Sequence, residues 1–383
     1  MSRFSHLSKF FAVVATVTAA AFSAAATEYP VTVTDISGRS VEIKSEPQRI
    51  VVQDGRDIFA LSLLDRDDPL KRVVAWNNIV SRSDPQSWNV FKTTWPESAA
   101  KAVDMKFGDE GQINFEQVVA AKPDLIIYQV RVRNALEEGD ALKRFESLGV
   151  PVLLIDTELE PAINAPKTVS LLGTALNREK EAKEYTDFYA ARLAEINKAI
   201  EGKEKPKVFV EAKAGQKGPE SCCFTHGDVY WGKLVSEAGG INLGSALVKG
   251  RTGDVTLETI ISSAPDVFVM TGSPFSNDGS VSPPFGIGAD KAGIEAALGA
   301  LEKRKGFDLI KAVKNDRVYG IYHQLYASAM NIYALEYLAK AFYPDALKNL
   351  DPEADLEKIV TEFTGLPKTM KVVFGAKAPG AGN

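Results

Sequence analysis

Apolar and polar positions follow two different periods along this chain, and the changes between them mark the predicted strands and helices. Val31 to Ile43 alternates at every second residue around a Ser-Gly pair, which predicts a β-hairpin. Short aliphatic runs follow in RIVVQ, PDLIIYQ and VPVLLID, separated by segments of helical character. Strands that alternate with helices indicate an α/β fold with mostly parallel sheets.

The pattern changes after Asn177. The stretch from Arg178 to Ile200 lacks glycine and proline, and its apolar residues recur at helical spacing. We predict a single helix there, about 37 Å long at 1.5 Å per residue, with Asn177 as its N-cap. A second α/β unit begins at KPKVFVEA. We therefore expect two doubly wound lobes joined by one long, rigid helix.

This pattern divides the chain into five predicted segments. They are a signal peptide at 1–26, an N-terminal α/β lobe at 27–176, a linker helix at 177–203, a C-terminal α/β lobe at 204–345, and a C-terminal helical segment and tail at 346–383. The tail from Pro367 is rich in glycine, alanine and lysine, and we expect it to be frayed.

The first 26 residues have the character of an export signal. Arg3 and Lys9 form a basic start, a short apolar run follows them, and small residues precede Ala26. That order is typical of a cleaved signal peptide and is too short for a membrane span. Cleavage would change the formal net charge from −5 to −7. The mildly acidic net charge of such an exported protein argues against binding of nucleic acid, which needs a basic surface.

Cys222 and Cys223 are the two cysteines of the chain, and they are adjacent. Neighbouring Cα atoms lie about 3.8 Å apart, which is below the usual range for a disulfide and excludes a disulfide-stapled scaffold. We interpret the pair as packed or oxidised thiols without a ligand role, because two cysteines supply too few ligands for a metal site.

One helix-to-strand corner occurs twice. NFEQVVAAKPDLIIY returns after the predicted linker helix as TLETIISSAPDVFVM, with Glu116 and Glu258 at the same place. If Asn114 and Thr256 are N-caps, each glutamate lies in the first helical turn, where the helix dipole favours an acid by about 0.3–1 kcal/mol. That explains either acid alone. Two acids at equivalent places also suit docking to a partner that carries arginines.

Candidate ligand-binding residues come from the loops at the carboxyl ends of strands, where open α/β sheets bind their ligands. The candidates are Arg56, Trp76, Tyr128, Arg131, Arg133, Tyr230, Trp231, Arg251, His323 and Tyr326. Arginine binds anions through bidentate hydrogen bonds, and aromatic rings pack against the apolar parts of a ligand. Each arginine could equally be solvated or paired, and Trp76 taken alone is expected in the core rather than in the pocket. His226 and His323 are too few for a free-metal site, so we expect none.

Several of these stretches resemble one known family. VTDISGRSVEIKSEPQRIVV, the two corners, LVSEAGGINL and the mid-chain helix are similar to the periplasmic substrate-binding proteins of iron-siderophore, haem and cobalamin ABC importers. The resemblance implies two lobes that hold a metal chelate between them in the periplasm. It also implies that Glu116 and Glu258 pair with arginines of the membrane permease.

The resulting prediction is a monomeric periplasmic binding protein, not an enzyme, without a resident cofactor. We expect it to capture a ferric siderophore and deliver it to an ABC permease, because the arginine-rich loops favour an anionic chelate. Haem and cobalamin stay open as ligands, and so does a role as a sensor module. A hydrolase is disfavoured by the lack of G-x-S-x-G and H-E-x-x-H motifs. Glu116 and Glu258 also lie in separate lobes, too far apart for the roughly 5–9.5 Å of glycosidases.

Overall fold

The computed structural model of the chain describes residues 26–105 and 114–380. Residues 1–25 of the predicted signal peptide therefore lie outside the described residues. The strands are β1 (Val31–Thr34), β2 (Ser40–Ile43), β3 (Ile50–Val52), β4 (Val73–Trp76), β5 (Val103–Asp104), β6 (Leu125–Gln129), β7 (Val152–Ile155), β8 (Lys207–Glu211), β9 (Phe224–His226), β10 (Ile241–Asn242), β11 (Thr252–Asp254), β12 (Val267–Gly272), β13 (Gly286–Ile287), β14 (Val318–Tyr322), β15 (Val372–Val373) and β16 (Gly375–Lys377).

The helices occupy the intervals between these strands, as the alternating pattern predicts. They are α1 (Ile58–Leu64), α2 (Val80–Ser83), α3 (Pro85–Thr94), α4 (Pro96–Lys101), α5 (Phe115–Ala120), α6 (Arg133–Glu138), α7 (Ala141–Ser147), α8 (Pro161–Ala175), α9 (Glu179–Ile200), α10 (Trp231–Glu237), α11 (Gly244–Leu247), α12 (Leu257–Ser263), α13 (Lys291–Glu302), α14 (Lys311–Lys314), α15 (Ile332–Phe342) and α16 (Pro352–Glu362). None of the described helices combines the length and apolar character that a membrane span requires.

Two five-stranded sheets confirm the predicted α/β class. The first has the order β5-β4-β3-β6-β7 and is parallel throughout. The second has the order β10-β8-β12-β14-β16, parallel except for β16. The central strands are aliphatic and buried on both faces, because helices cover both sides of a parallel sheet. In the first sheet, β4 and β5 lie on one side of β3, and β6 and β7 lie on the other. In the second sheet, β10 lies on one side of β8, and β12, β14 and β16 lie on the other.

Helix α9 follows the first sheet and precedes the second in the chain, over 22 residues or about 33 Å. It packs against α8 and α15. The buried Tyr185 donates a hydrogen bond to the Ala329 carbonyl at 2.8 Å, and Tyr189 donates to Asn331 Oδ1 at 2.8 Å. These bonds anchor the helix to the segment that leads into α15.

Asn177 does not cap α9, contrary to the prediction. Its backbone is left-handed, with φ of 57°, and Arg178 occupies the N-cap position without a side-chain bond. Asparagine tolerates this conformation, which ends the preceding helix α8. The Asn177 side chain instead accepts from the Thr27 amide at 3.0 Å and donates to Glu46 at 3.2 Å.

The C-terminal tail is more ordered than its composition predicts. β16 pairs antiparallel with β14, with Tyr319 opposite Lys377 and Ile321 opposite Gly375. Residues 375–377 therefore form an edge strand of the second sheet, and this part of the tail is not frayed.

Glu336, on the buried face of α15, gives a testable prediction about stability. The residue is fully buried, and burial together with Asp355 raises its pKa from 4.5 to about 10. The folded protein therefore keeps this carboxyl protonated up to about pH 10, whereas the unfolded chain releases the proton above pH 4.5. The free energy of unfolding therefore falls as the pH rises from 4.5 toward 10, and at pH 7 this carboxyl has lowered it by about 3 kcal/mol relative to acidic pH.

Glu336→Gln should thus raise the free energy of unfolding at pH 7 by up to about 3 kcal/mol, and by much less near pH 4.5. Urea denaturation at the two pH values measures the difference. Glu357→Gln, at an exposed position of α16, is the matched control. An equal effect of Glu336→Gln at both pH values would contradict the assignment.

A candidate ligand-binding cleft

A cleft of about 820 Å³ lies between the two five-stranded sheets, at the carboxyl ends of their parallel strands. The first half of the chain contributes Arg56, Ile79, Arg82, Ser83, Arg131, Val132 and Glu158. The second half contributes Lys213, Gln216, Phe224, His226, Tyr230, Arg251, Thr252, Phe275, Ser276, Asn277, His323, Gln324 and Tyr326. Arg56 and Arg131 follow β3 and β6, which adjoin at the point where the first sheet reverses its winding, the usual ligand position in such sheets.

Two arginines and two acids form a closed ring of ion pairs on the first wall of the cleft. Arg56 Nη2 lies 2.5 Å from Asp54 Oδ2 and 3.0 Å from Glu158 Oε1. Arg131 Nη2 lies 2.8 Å from the same Asp54 oxygen, and its Nε lies 3.4 Å from Glu158 Oε2. All four side chains are nearly inaccessible to solvent. The protein's own carboxylates therefore offset the charge of both arginines.

Burial and the ring act on the carboxyl groups in opposite directions. Burial alone raises the pKa of Asp54, but Arg56 and Arg131 outweigh it, so the net pKa lies well below its usual value. Burial raises the pKa of Glu158 despite both arginines. The neighbouring Asp57 has its pKa raised well above the usual value by burial and then by Asp54 and Glu158. Asp54 is thus the firmly ionised member, while Asp57 retains its proton most strongly.

The opposite wall is aromatic. The ring centroids of Tyr230 and Tyr326 lie 5.3 Å apart, and those of His323 and Tyr326 lie 5.1 Å apart. His226 contacts the same Tyr326 ring at 5.7 Å, and Phe275 extends the wall at 5.8 Å from His323. These contacts create a continuous face on which the apolar parts of a ligand can stack.

Both histidines of this wall are neutral. Burial lowers the pKa of His226 to about 3 and that of His323 well below its usual value. Nδ1 of His226 accepts from the Trp231 amide at 3.3 Å, so its neutral ring carries the proton on Nε2. Nδ1 of His323 lies 2.7 Å from Thr271 Oγ1. The aromatic wall therefore adds no charge to the cleft.

Direct hydrogen bonds join the two walls. Arg56 Nη1 donates to the Tyr326 hydroxyl. Beside the cleft, Ser273 Oγ donates to the Ser83 carbonyl at 2.6 Å, and Ser276 Oγ donates to the Arg82 carbonyl at 2.9 Å. The two halves thus contact each other through loops as well as through α9.

The structure brings six of the ten predicted ligand-binding residues to the cleft. They are Arg56, Arg131, Tyr230, Arg251, His323 and Tyr326.

The other four predicted residues lie elsewhere. Trp76 is 1% exposed and packs on Trp88 in the core. Tyr128 is fully buried on the other face of the first sheet, because successive side chains of a strand alternate between the two faces. Arg133 begins α6 and pairs with Glu137 at 2.7 Å. Trp231 is buried behind the aromatic wall, where its Nε1 donates to the His323 carbonyl at 3.1 Å.

The prediction missed several residues that line the cleft, notably Arg82, Lys213 and Phe275. Lys213 lies two residues after the end of β8, so the strand-end rule could have found it. Phe275 lies in the long loop after β12, so the same strand-end rule could have found it. Arg82 lies on the short helix α2, which no local signal connects to the cleft.

Glu116 and Glu258 occupy equivalent positions in two short helices. Asn114 caps α5 by accepting from the Gln117 amide at 3.1 Å, and Thr256 caps α12 by accepting from the Thr259 amide at 3.3 Å. Both N-caps are as predicted, and both glutamates are exposed. Each helix leads back to the start of a parallel strand, so its N-terminus points toward the edge of the sheet that carries the cleft.

Comparison with known proteins agrees with this architecture. The uncharacterized ABC transporter substrate-binding lipoprotein YvrC of Bacillus subtilis is 28% identical over 331 residues, which cover 84% of this chain and 88% of that protein. A cobalamin-binding protein of Halobacterium salinarum is 25% identical over 254 residues, and the match spans 64% of this chain and 60% of the relative.

A solved structure and a family model extend the comparison. The TroA-like periplasmic binding protein FepB from Veillonella parvula superposes with a TM-score of 0.82 at 28% identity, covering 91% of this chain and all of that one. The family model for periplasmic binding proteins matches residues 73–325, well over half of the chain. The chain belongs to the periplasmic binding protein family.

Proposed function

We propose that this binding protein captures an anionic metal chelate, of the ferric siderophore type, and delivers it to an ABC permease. Its relatives are substrate-binding proteins of ABC importers, and a small-molecule ligand with a permease partner is the function of that class. The observation that carries the proposal is the charge of the cleft. Its lining contains five arginine and lysine side chains and one acidic side chain, Glu158.

The charge available to a ligand comes mainly from outside the ring of ion pairs. Asp54 and Glu158 already offset Arg56 and Arg131, and Arg82 pairs with Asp104 at 3.4 Å, which leaves Arg251 as the cleft arginine without an ion pair among the described residues. Within the ring, Nη1 of Arg131 is buried without a hydrogen-bond partner among the described residues. A buried donor of this kind favours an acceptor on the ligand, since leaving it unpaired is costly. The neutral aromatic wall suits the organic shell of a chelate.

A corrinoid is the second candidate, because one relative is a cobalamin-binding protein. The excess of cationic side chains favours an anionic chelate over this alternative. The deciding experiment is a titration of intrinsic fluorescence with ferric hydroxamate, catecholate and carboxylate chelates, haem and cobalamin. Saturable quenching by an anionic ferric chelate at the lowest concentration is the expected result. Tighter binding of cobalamin or haem than of every ferric chelate would overturn the proposal.

Arg251→Ala should weaken binding of the anionic chelate about 10-fold. A hydrogen bond to a charged group contributes about 1.5–3 kcal/mol, and we expect a value near the lower end because Arg251 is exposed to water. Arg251 is exposed at the cleft and makes no ion pair with the described residues, so its removal should leave stability unchanged. Arg133→Ala is the matched control, an exposed arginine outside the cleft. Equal affinity of both variants in the titration would remove Arg251 from the site.

A further inference from the structure

We infer that Cys222 and Cys223, once reduced, hold one thiophilic divalent cation with Glu211 as the third donor. The two sulfur atoms and a carboxylate oxygen of Glu211 all lie within 4.8 Å of one another. Glu211 is the last residue of β8, and the cysteines directly precede β9, so the intervening loop returns them to the strand end. Glu211 and Cys223 are buried, while Cys222 is half-buried.

The site requires reduction, because the two cysteines form a vicinal disulfide. A dithiol reductant supplies two electrons and two protons, the sulfur–sulfur bond breaks, and the reductant becomes a disulfide. The cation then displaces both thiol protons and binds two thiolates. Thiolate donors select soft or borderline ions such as Cd²⁺ and Zn²⁺ over Mg²⁺ or Ca²⁺.

The surroundings balance the charge of such a site. Arg304 Nη1 donates to Glu211 Oε1 at 2.7 Å, and Arg304 Nη2 donates to Oε2. Two thiolates and one carboxylate carry three negative charges, which Arg304 and a divalent cation together neutralise. Nη1 of Arg304 also donates to the Ser221 carbonyl at 2.9 Å, directly before the cysteines. The same guanidinium therefore holds both the carboxylate and the cysteine segment in place.

Access and further ligands come from a small neighbouring cavity. It has a volume of about 210 Å³, and Glu211, Ser221, Phe224 and Asp254 are among its lining residues. Its volume accommodates water molecules that complete a four-coordinate shell, as a three-donor site requires. The inference is independent of the ligand proposed for the larger cleft.

The test uses the whole exported chain, reduced with a phosphine that is removed under anaerobic conditions, and titrated with Cd²⁺. We expect one equivalent to bind with the ultraviolet thiolate-to-cadmium charge-transfer band, and X-ray absorption to show two sulfur donors with oxygen donors. The oxidised protein and the Cys222→Ser/Cys223→Ser variant should lack the band. A reduced wild-type protein that binds Cd²⁺ no better than this double variant overturns the site.

Glu211→Gln should lower the affinity for Cd²⁺ about 10-fold. This variant leaves Arg304 buried without its carboxylate, so it can unfold for that reason alone. Glu211→Gln/Arg304→Met preserves the balance of charge, and circular dichroism confirms its fold. If both variants are folded and bind Cd²⁺ as tightly as the reduced wild type, Glu211 is not the third donor.

Discussion

Replacing Glu116 and Glu258 together by alanine is expected to abolish uptake of the ligand while leaving its affinity for the isolated protein unchanged. Both carboxylates are exposed at helix N-termini and form no ion pair with the described residues. Each loses only about 0.3–1 kcal/mol of interaction with its helix dipole, so the fold should tolerate the change. The family resemblance implies that each glutamate pairs with a permease arginine; docking would desolvate such a pair, and truncating one partner of it costs about 2–5 kcal/mol.

Two assays on the same variant separate docking from ligand binding. Uptake of labelled ligand into cells or proteoliposomes measures transport, and fluorescence titration measures affinity. Glu97→Ala in α4 and Asp308→Ala in the short 3-10 helix Phe307–Leu309 also remove exposed acids from first helical turns, and we expect normal uptake of both control variants. Each single variant, Glu116→Ala or Glu258→Ala, should retain partial uptake because the second contact persists. Lost affinity together with normal uptake would refute the docking role.

Arg131→Ala is expected to lower the free energy of unfolding by about 3–5 kcal/mol, because it leaves two buried acids to share Arg56 and so leaves one buried negative charge without compensation within the ring. Arg131 contacts both Asp54 and Glu158, and all three side chains are buried. The charge-balanced variant Arg131→Met/Glu158→Gln retains the Asp54–Arg56 pair and should recover most of this loss. Urea denaturation of both variants measures the difference. Equal destabilisation by both would show that the ring of ion pairs contributes nothing specific.

The same pair of variants tests the role of Arg131 toward the ligand. In the charge-balanced variant, stability is restored but the buried Nη1 donor is absent, so the affinity for an anionic ferric chelate should still fall. Arg133→Ala, which removes an exposed helical pair with Glu137, should change stability by less than about 1 kcal/mol. Wild-type affinity in the charge-balanced variant would assign Arg131 a structural role only.

Local features of this protein follow from its sequence. The hairpin of β1 and β2, the aliphatic strands and the N-caps Asn114 and Thr256 each depend on residues a few positions apart. The repeated corner therefore predicted two units of like architecture with an exposed acid at equivalent places. Asn177 shows the limit of such rules, because the same residue type caps one helix or ends another according to its backbone conformation.

The chemistry of the cleft depends on residues far apart in the chain. Asp54 meets Arg131 across 77 positions, and Arg56 meets Glu158 across 102, so no local pattern could show that the arginines are already paired. The sequence by itself determined the α/β class, the family and the doubled corner, because periodicity and capping are short-range. Only the tertiary structure decided which side chains face the ligand and which carboxylate adjoins the cysteine pair, because burial and charge pairing arise where distant segments pack together.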